Sequence, residues 1–265
     1  MTVTYDDVVK ARKTQNEVIR KTSLTFSETF SKICGANVYL KNEYEQKTGS
    51  FKIRGAYYKI KSLTEEEKSK GVVAASAGNH SQGVAFASYI ENIPCTIVMP
   101  KTASPAKVSA TKGYGAKVVL EGITYDESWM HAQKIAADTN ATIIHAFDDS
   151  HVIAGQGVIG LEIMEQLPNV DEIYVPIGGG GLVAGIITAV KEKYPKVKII
   201  GVESSAYPAM KKSLENNSLE TVIGSTTIAD GISVKTPGKL TFEIVKDKID
   251  KIVTVDDSDI INAMF

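Results

Sequence analysis

Lys52 is the residue whose neighbours best suit it to nucleophilic chemistry. It lies in Thr48-Gly49-Ser50-Phe51-Lys52-Ile53-Arg54-Gly55, between an aromatic ring and a glycine. Ser50 has the side chain of an N-cap for the apolar-periodic run Phe51 to Leu63, which predicts a helix with Lys52 in its first turn, where acids are the commoner choice. The positive end of a helix and an apolar neighbour both disfavour an ammonium ion, so the pKa falls and a neutral amine becomes available for Schiff-base formation. An ordinary solvated helix lysine is the alternative, and the octapeptide by itself leaves both open.

A second stretch speaks for the chemical reading. Ile173 to Ile177 reads as a buried strand that runs into Gly178-Gly179-Gly180-Gly181 and then the apolar helix Leu182 to Val190. Glycines let the backbone approach closely, several N–H groups converge, and the helix N-terminus favours an anion: this is the mechanics of a phosphate cradle. Each glycine costs backbone entropy, so packing alone is a poor reason for four in a row. A third stretch, Ser76-Ala77-Gly78-Asn79-His80, follows the strand Val72 to Ala75 at another helix N-terminus and suits a carboxylate.

These stretches sit in an alternation of short strands and helices. Strands are expected at Val38 to Leu40, Val72 to Ala75, Thr96 to Met99, Lys117 to Leu120, Thr142 to Ile144, Ile173 to Ile177 and Lys198 to Val202. The clearest helical patterns are Phe51 to Leu63, His80 to Tyr89, Tyr125 to Ala137, Val158 to Gln166 and Leu182 to Glu192. Such an order predicts an α/β fold with two open, mainly parallel sheets flanked by helices. The charged stretch Thr64 to Lys70 and the loop Phe147 to Ser150 bracket four strand-helix units, which places a small domain at 65–147 within a large one at 1–64 and 148–265.

Composition excludes more than it identifies. The 265 residues carry 30 basic and 31 acidic side chains, a net charge of −1, which gives no basic surface for nucleic acid. Met1 to Arg20 is polar, with acids at Asp6 and Asp7, unlike a secretory leader, and no apolar run approaches a bilayer span, so no membrane partner and a cytoplasmic setting are expected. Cys34 and Cys95 are too few and too far apart for a disulfide framework and read as buried or half-buried thiols. His80, His131, His145 and His151 show no metal-binding i,i+4 pair.

Taken together, the Lys52 octapeptide, Ser76 to His80 and Gly178 to Gly181, with Ala154 to Glu162 and Ile228-Ala229-Asp230-Gly231, resemble the pyridoxal-phosphate enzymes of the tryptophan-synthase-β type. Within that group the chain most resembles the serine/threonine dehydratases, the catabolic threonine dehydratases above all. The resemblance implies the same division into two domains, with pyridoxal 5'-phosphate in the interdomain cleft between them, held by Lys52 as a Schiff base, with Phe51 against its ring, Asn79 at its 3'-oxygen and Gly178, Gly179, Gly180 and Gly181 at its phosphate. It implies that Ser76, Ala77, Gly78, Asn79 and His80 bind the carboxylate of a small amino acid. The implied reaction is β-elimination of water from L-threonine or L-serine, with the cofactor phosphate protonating the departing hydroxyl. A homodimer or homotetramer is implied, and Glu203 for a mono- or divalent cation, although Ala209 stands where metal-binding racemases tend to have an acid.

Rival readings have their own residues. Related serine racemases carry a serine where this chain has Ala77, and a methyl group cannot move a proton, so elimination is favoured over racemisation. Gly179-x-Gly181-x-x-Ala184 with Glu203 satisfies a dinucleotide fingerprint but leaves Lys52 and Ser76 to His80 unused. Relatives continue beyond the position of Phe265 with a serine-bearing segment that meets the pyridine nitrogen. A C-terminally incomplete domain is therefore expected, and a cofactor-binding remnant with little activity is the alternative.

Overall fold

The computed structural model describes residues 2–264. In chain order the elements are α1 (Tyr5–Gln15), β1 (Leu24–Phe26), α2 (Glu28–Cys34), β2 (Tyr39–Lys41), α3 (Lys52–Lys61), α4 (Glu65–Lys70), β3 (Val72–Ala75), α5 (Asn79–Ile90), β4 (Cys95–Met99), α6 (Pro105–Gly113) and β5 (Lys117–Leu120). They continue with α7 (Tyr125–Thr139), β6 (Thr142–Ile143), α8 (Ser150–Gln166), β7 (Glu172–Pro176), α9 (Gly181–Lys191), β8 (Lys198–Ser204), α10 (Ala209–Glu215), α11 (Lys239–Val245), β9 (Lys251–Val255) and α12 (Asp257–Met264).

Two parallel sheets carry the fold. One runs β5-β4-β3-β6 and the other β7-β8-β9, while β1 and β2 form a separate antiparallel pair. All four residues of β3 are buried, as a parallel strand covered on both faces requires. Each sheet has its own apolar core: Ile97, Met99, Val84 and Ile144 belong to the first, Val175, Ile177, Ile187 and Ile199 to the second. Helix α3 serves both, since Ile53, Tyr57 and Ile60 pack into the first core while Phe51 and Tyr58 reach the second. Its close approach to α8 depends on glycine, because a Cβ on Gly155 would lie 2.7 Å from the Gly55 Cα.

Two expectations are corrected here. Ser50 is not a cap: α3 begins one residue later, with Phe51 in helical geometry and no side-chain cap bond. The Ser50 hydroxyl is instead buried, without a partner among the described residues. Cys34 is exposed, because α2 buries none of its residues, whereas Cys95 is half-buried and burial pushes its thiol up to about 12.

Candidate active site

Lys52 opens α3 with its amine turned to the protein. Nζ donates to the Ala146 carbonyl at 2.9 Å and stands 5.3 Å from the centre of the Phe51 ring. Burial alone pushes the amine down to about 8; among the described residues no carboxylate acts on it to hold the charge. The hydroxyls of Thr48 and Ser50, just upstream, are both buried and have no partner among the described residues.

The Ser76 to His80 stretch joins β3 to α5. Ser76 Oγ accepts from the Gly78 N–H at 3.2 Å, and Asn79 is the exposed first residue of α5. His80 belongs to the stretch in sequence, but its ring is buried and donates from Nε2 to the Ile144 carbonyl at 2.9 Å. Burial, followed by the nearby Lys52 charge, drives this imidazole down to about 3, so it is neutral.

The glycine run lies against Phe147. A Cβ on Gly179 would overlap the Phe147 ring, and one on Gly181 would meet the Phe147 backbone at 2.9 Å. Gly180 has φ +94°, which a side chain rarely adopts, and its Cβ would meet Met210 and Thr241. Packing therefore does demand glycine here, contrary to the expectation from sequence. The phosphate reading stands on a different observation. Thr241 Oγ1 at 2.6 Å and the Gly238 N–H at 3.1 Å hold the Gly179 carbonyl, yet among the described residues the amides of Gly178, Gly179 and Gly180 donate to nothing. Three free amides before a helix N-terminus fit a phosphate.

The three stretches meet on one short segment, Ile144 to Asp148, which the sequence offered only as the end of a strand and the start of a boundary loop, with no part in the site. Ile144 takes the His80 ring, Ala146 takes Lys52, and Phe147 lies on the glycines. Asp148 then caps α11, accepting from the N–H groups of Lys239 at 3.0 Å, Leu240 at 2.9 Å and Thr241 at 3.2 Å. Because these roles belong mostly to main-chain groups, no residue type announced them. Pyridoxal phosphate fits what is present: a buried amine without a counter-charge beside free amides for its phosphate.

Glu203 has a different occupation. It is fully buried at the end of β8, and its two carboxylate oxygens accept from the N–H groups of Met210 at 2.8 Å and Lys211 at 2.9 Å, at the start of α10. Burial pushes the carboxyl up to about 7. Among the described residues no cluster of three His, Cys, Asp or Glu could hold a metal. Nor is any described helix long and apolar enough to cross a membrane.

Comparison with known proteins places the chain in a family. The profile of the family described as pyridoxal-phosphate dependent enzyme matches residues 16–264. An L-threonine ammonia-lyase of Thermotoga maritima is 51% identical over 262 residues, which span 99% of this chain and 65% of that protein. A catabolic L-threonine dehydratase of Staphylococcus aureus is 47% identical over 263 residues, 99% of this chain and 76% of its own length. The solved structure of maize serine racemase superposes with a TM-score of 0.97 at 34% identity, covering 100% of this chain and 80% of the racemase. The chain thus spans about two thirds to four fifths of the relatives named here, and it belongs to the family of pyridoxal-phosphate-dependent enzymes.

Proposed function

We propose that this chain carries the reactive core of an ammonia-lyase that converts L-threonine, or L-serine, to 2-oxobutyrate, or pyruvate, and ammonia by β-elimination of water. The observation that carries the reading is the Lys52 amine, desolvated and without a counter-charge, resting on the residue next to Phe147 at the glycine run. When bound, pyridoxal phosphate supplies an electron sink for the pair left at the substrate Cα. Lys52 would be the cofactor's covalent anchor and, as a free amine with a pKa of about 8, would take the substrate Cα proton and return it readily.

The other residues orient. The amides of Gly178 to Gly180, leading into Gly181, would receive the phosphate, Phe51 would pack against the ring, and Asn79 would donate to its 3'-oxygen. Ser76, Ala77 and Gly78, at the N-terminus of α5, receive the substrate carboxylate. Hydroxide leaves only as water, and the proton it needs would come from the cofactor phosphate at the glycine run, since burial lowers both His80 and the half-buried His145 and neither stores one. Glu203 is a cap for α10 in this reading rather than a cation ligand. A small domain at 65–147, a cytoplasmic setting, a homodimer or homotetramer, and a part in amino-acid catabolism or isoleucine biosynthesis accompany it.

Racemisation is the second reading, favoured by the likeness to maize serine racemase. Ala77 weighs against it, because its methyl group cannot deliver a proton to the face opposite Lys52. Incubation with pyridoxal phosphate and L-threonine tests the choice. Equal amounts of 2-oxobutyrate and ammonium are expected; a D-amino acid as the main product from L-serine would overturn the lyase reading.

A further inference from the structure

His80 is used by none of these steps, yet it is only 3% exposed, at the second position of α5. The Ile144 carbonyl can only accept, so the ring carries its proton on Nε2. Nδ1 is then a bare acceptor, and it has no partner among the described residues. Buried polar atoms without partners are rare enough in folded proteins to need a reason.

The reason lies two residues along the chain. His80 grips Ile144 from α5 and Lys52 grips Ala146 from α3, each by a carbonyl at 2.9 Å. Between them His145 Nδ1 accepts from the N–H groups of Phe147 at 3.3 Å and Asp148 at 2.8 Å, which stiffens the turn toward the glycines. Release of the Ile144 carbonyl would therefore slacken the one segment on which the free amine rests.

We propose that His80 is a positioning residue for Lys52: its Nε2–H holds the Ile144 carbonyl and, through the intervening main chain, sets the Ala146 carbonyl that receives the lysine amine. This rests on Lys52 being the cofactor lysine. A neutral donor suits the place, since the charged and titratable groups that face the ring, Lys52 from α3 and His145 from the adjoining segment, are both bases. A cationic donor would repel the amine it is meant to place. Displacement of a base by about 1 Å costs on the order of a hundredfold in rate, which sets the scale of the effect.

The test compares the parent holoenzyme with His80→Leu, which cannot donate, and His80→Gln, whose amide can. The leucine chain is expected to lose about ten- to a hundredfold in kcat for L-threonine, with KM within about threefold. Its apoprotein should take up pyridoxal phosphate several-fold more slowly, followed by absorbance, and glutamine should recover most of both. Parental kcat and uptake in the leucine chain overturn the proposal, as does a glutamine chain that matches the parent in thermal midpoint but recovers neither. One measurement needs no stable variant. In nitrogen-15 histidine spectra of the unsubstituted holoenzyme, His80 should stay the neutral Nε2–H tautomer between about pH 5.5 and 8, and that proton should shift when substrate frees Lys52. A cationic ring, an Nδ1–H tautomer or an unmoved proton overturns the proposal. A Lys52→Ala chain made in parallel keeps the two ideas apart, since full turnover there would remove the lysine assignment itself.

Discussion

Arg54 and Lys52 lie two residues apart at the start of α3, and both are withdrawn from water, but only Arg54 is given counter-charges. Arg54 is completely buried and meets two carboxylates in paired geometry: Nε and Nη2 to Glu43 at 2.8 Å each, Nη1 and Nη2 to Glu162 at 2.7 and 3.0 Å. Lys41 reinforces Glu162 at 2.6 Å, and the Thr22 hydroxyl reinforces Glu43 at 2.6 Å. Lys52 has one carbonyl. A buried charge is tolerated when paired and hydrogen-bonded, and otherwise it tends to give up its proton. One helix thus uses the same cost in two ways. Arg54 ties α3 to α8 and to the segment before it, and that fixed frame allows Lys52, two residues away, to remain unpaired and reactive.

The comparison breaks most sharply at Lys52. Lys52→Ala should lower turnover of L-threonine by at least about a thousandfold, since it removes the covalent anchor and the Cα base together. Arginine should rescue nothing, because its guanidinium stays protonated. Retained turnover in either variant would place the chemistry elsewhere. At Arg54 the loss should be of fold rather than of chemistry. Arg54→Met leaves Glu43 and Glu162 facing each other across an apolar side chain with Lys41 alone to compensate, which should cost about 3–5 kcal/mol in urea unfolding. Combining it with Glu43→Gln and Glu162→Gln should recover a good part of that loss. A single variant of parental stability would mean that the network does not secure α3.

Ala77 sharpens the idea that Lys52 works from one face only. Ala77→Ser adds a hydroxyl to the loop before α5, and D-serine formation from L-serine should rise about a hundredfold above the parent, the lower end of what a placed acid–base group contributes. Chiral chromatography of the products reads it, and an unchanged D-serine yield would show that residue 77 does not face the substrate Cα.

The sequence made the local parts of this site readable and left its long-range parts hidden. Val72 to Ala75 and Lys117 to Leu120 were expected as strands and are β3 and β5, because short apolar β-branched runs between turns have few other uses. Leu24–Phe26 and Lys251–Val255 went unread: the first is a three-residue strand with two exposed positions, and the second pairs only with β8. Lys52 and the glycine run stood out in the sequence because the chemistry proposed for them lies in side-chain type or its absence. The partners of Arg54 were not, since Glu162 is 108 residues away, and neither was the segment from Ile144 to Asp148, which works mainly through carbonyls. The Ser50 cap failed because a good capping residue guarantees no cap: α3 starts one residue later and leaves that hydroxyl unpaired.

The smallest effect is the most direct measure of the difference between the two cations. Burial lowers Lys52 from 10.5 to about 8, so the folded apoprotein binds fewer protons than the unfolded chain between those values. Below pH 8 both states carry the charge, and the folded state bears the whole desolvation cost. As pH rises from 8 to 10.5 the folded amine is already neutral while the unfolded one still loses its proton, so the parent gains stability with pH. Lys52→Met removes the charge and keeps the length. It should make the apoprotein more stable than the parent at pH 7, by about 1–3 kcal/mol on the scale of 1.36 kcal/mol per unit of pKa. That lead should shrink steadily between pH 8 and 10. Other groups that titrate through burial, Glu203 among them, are shared by both chains and cancel in the difference. Urea unfolding of the two apoproteins across this range measures it. A lead that does not change with pH would show that Lys52 is solvated when its cofactor is absent, and the contrast with Arg54 would then lose its physical basis.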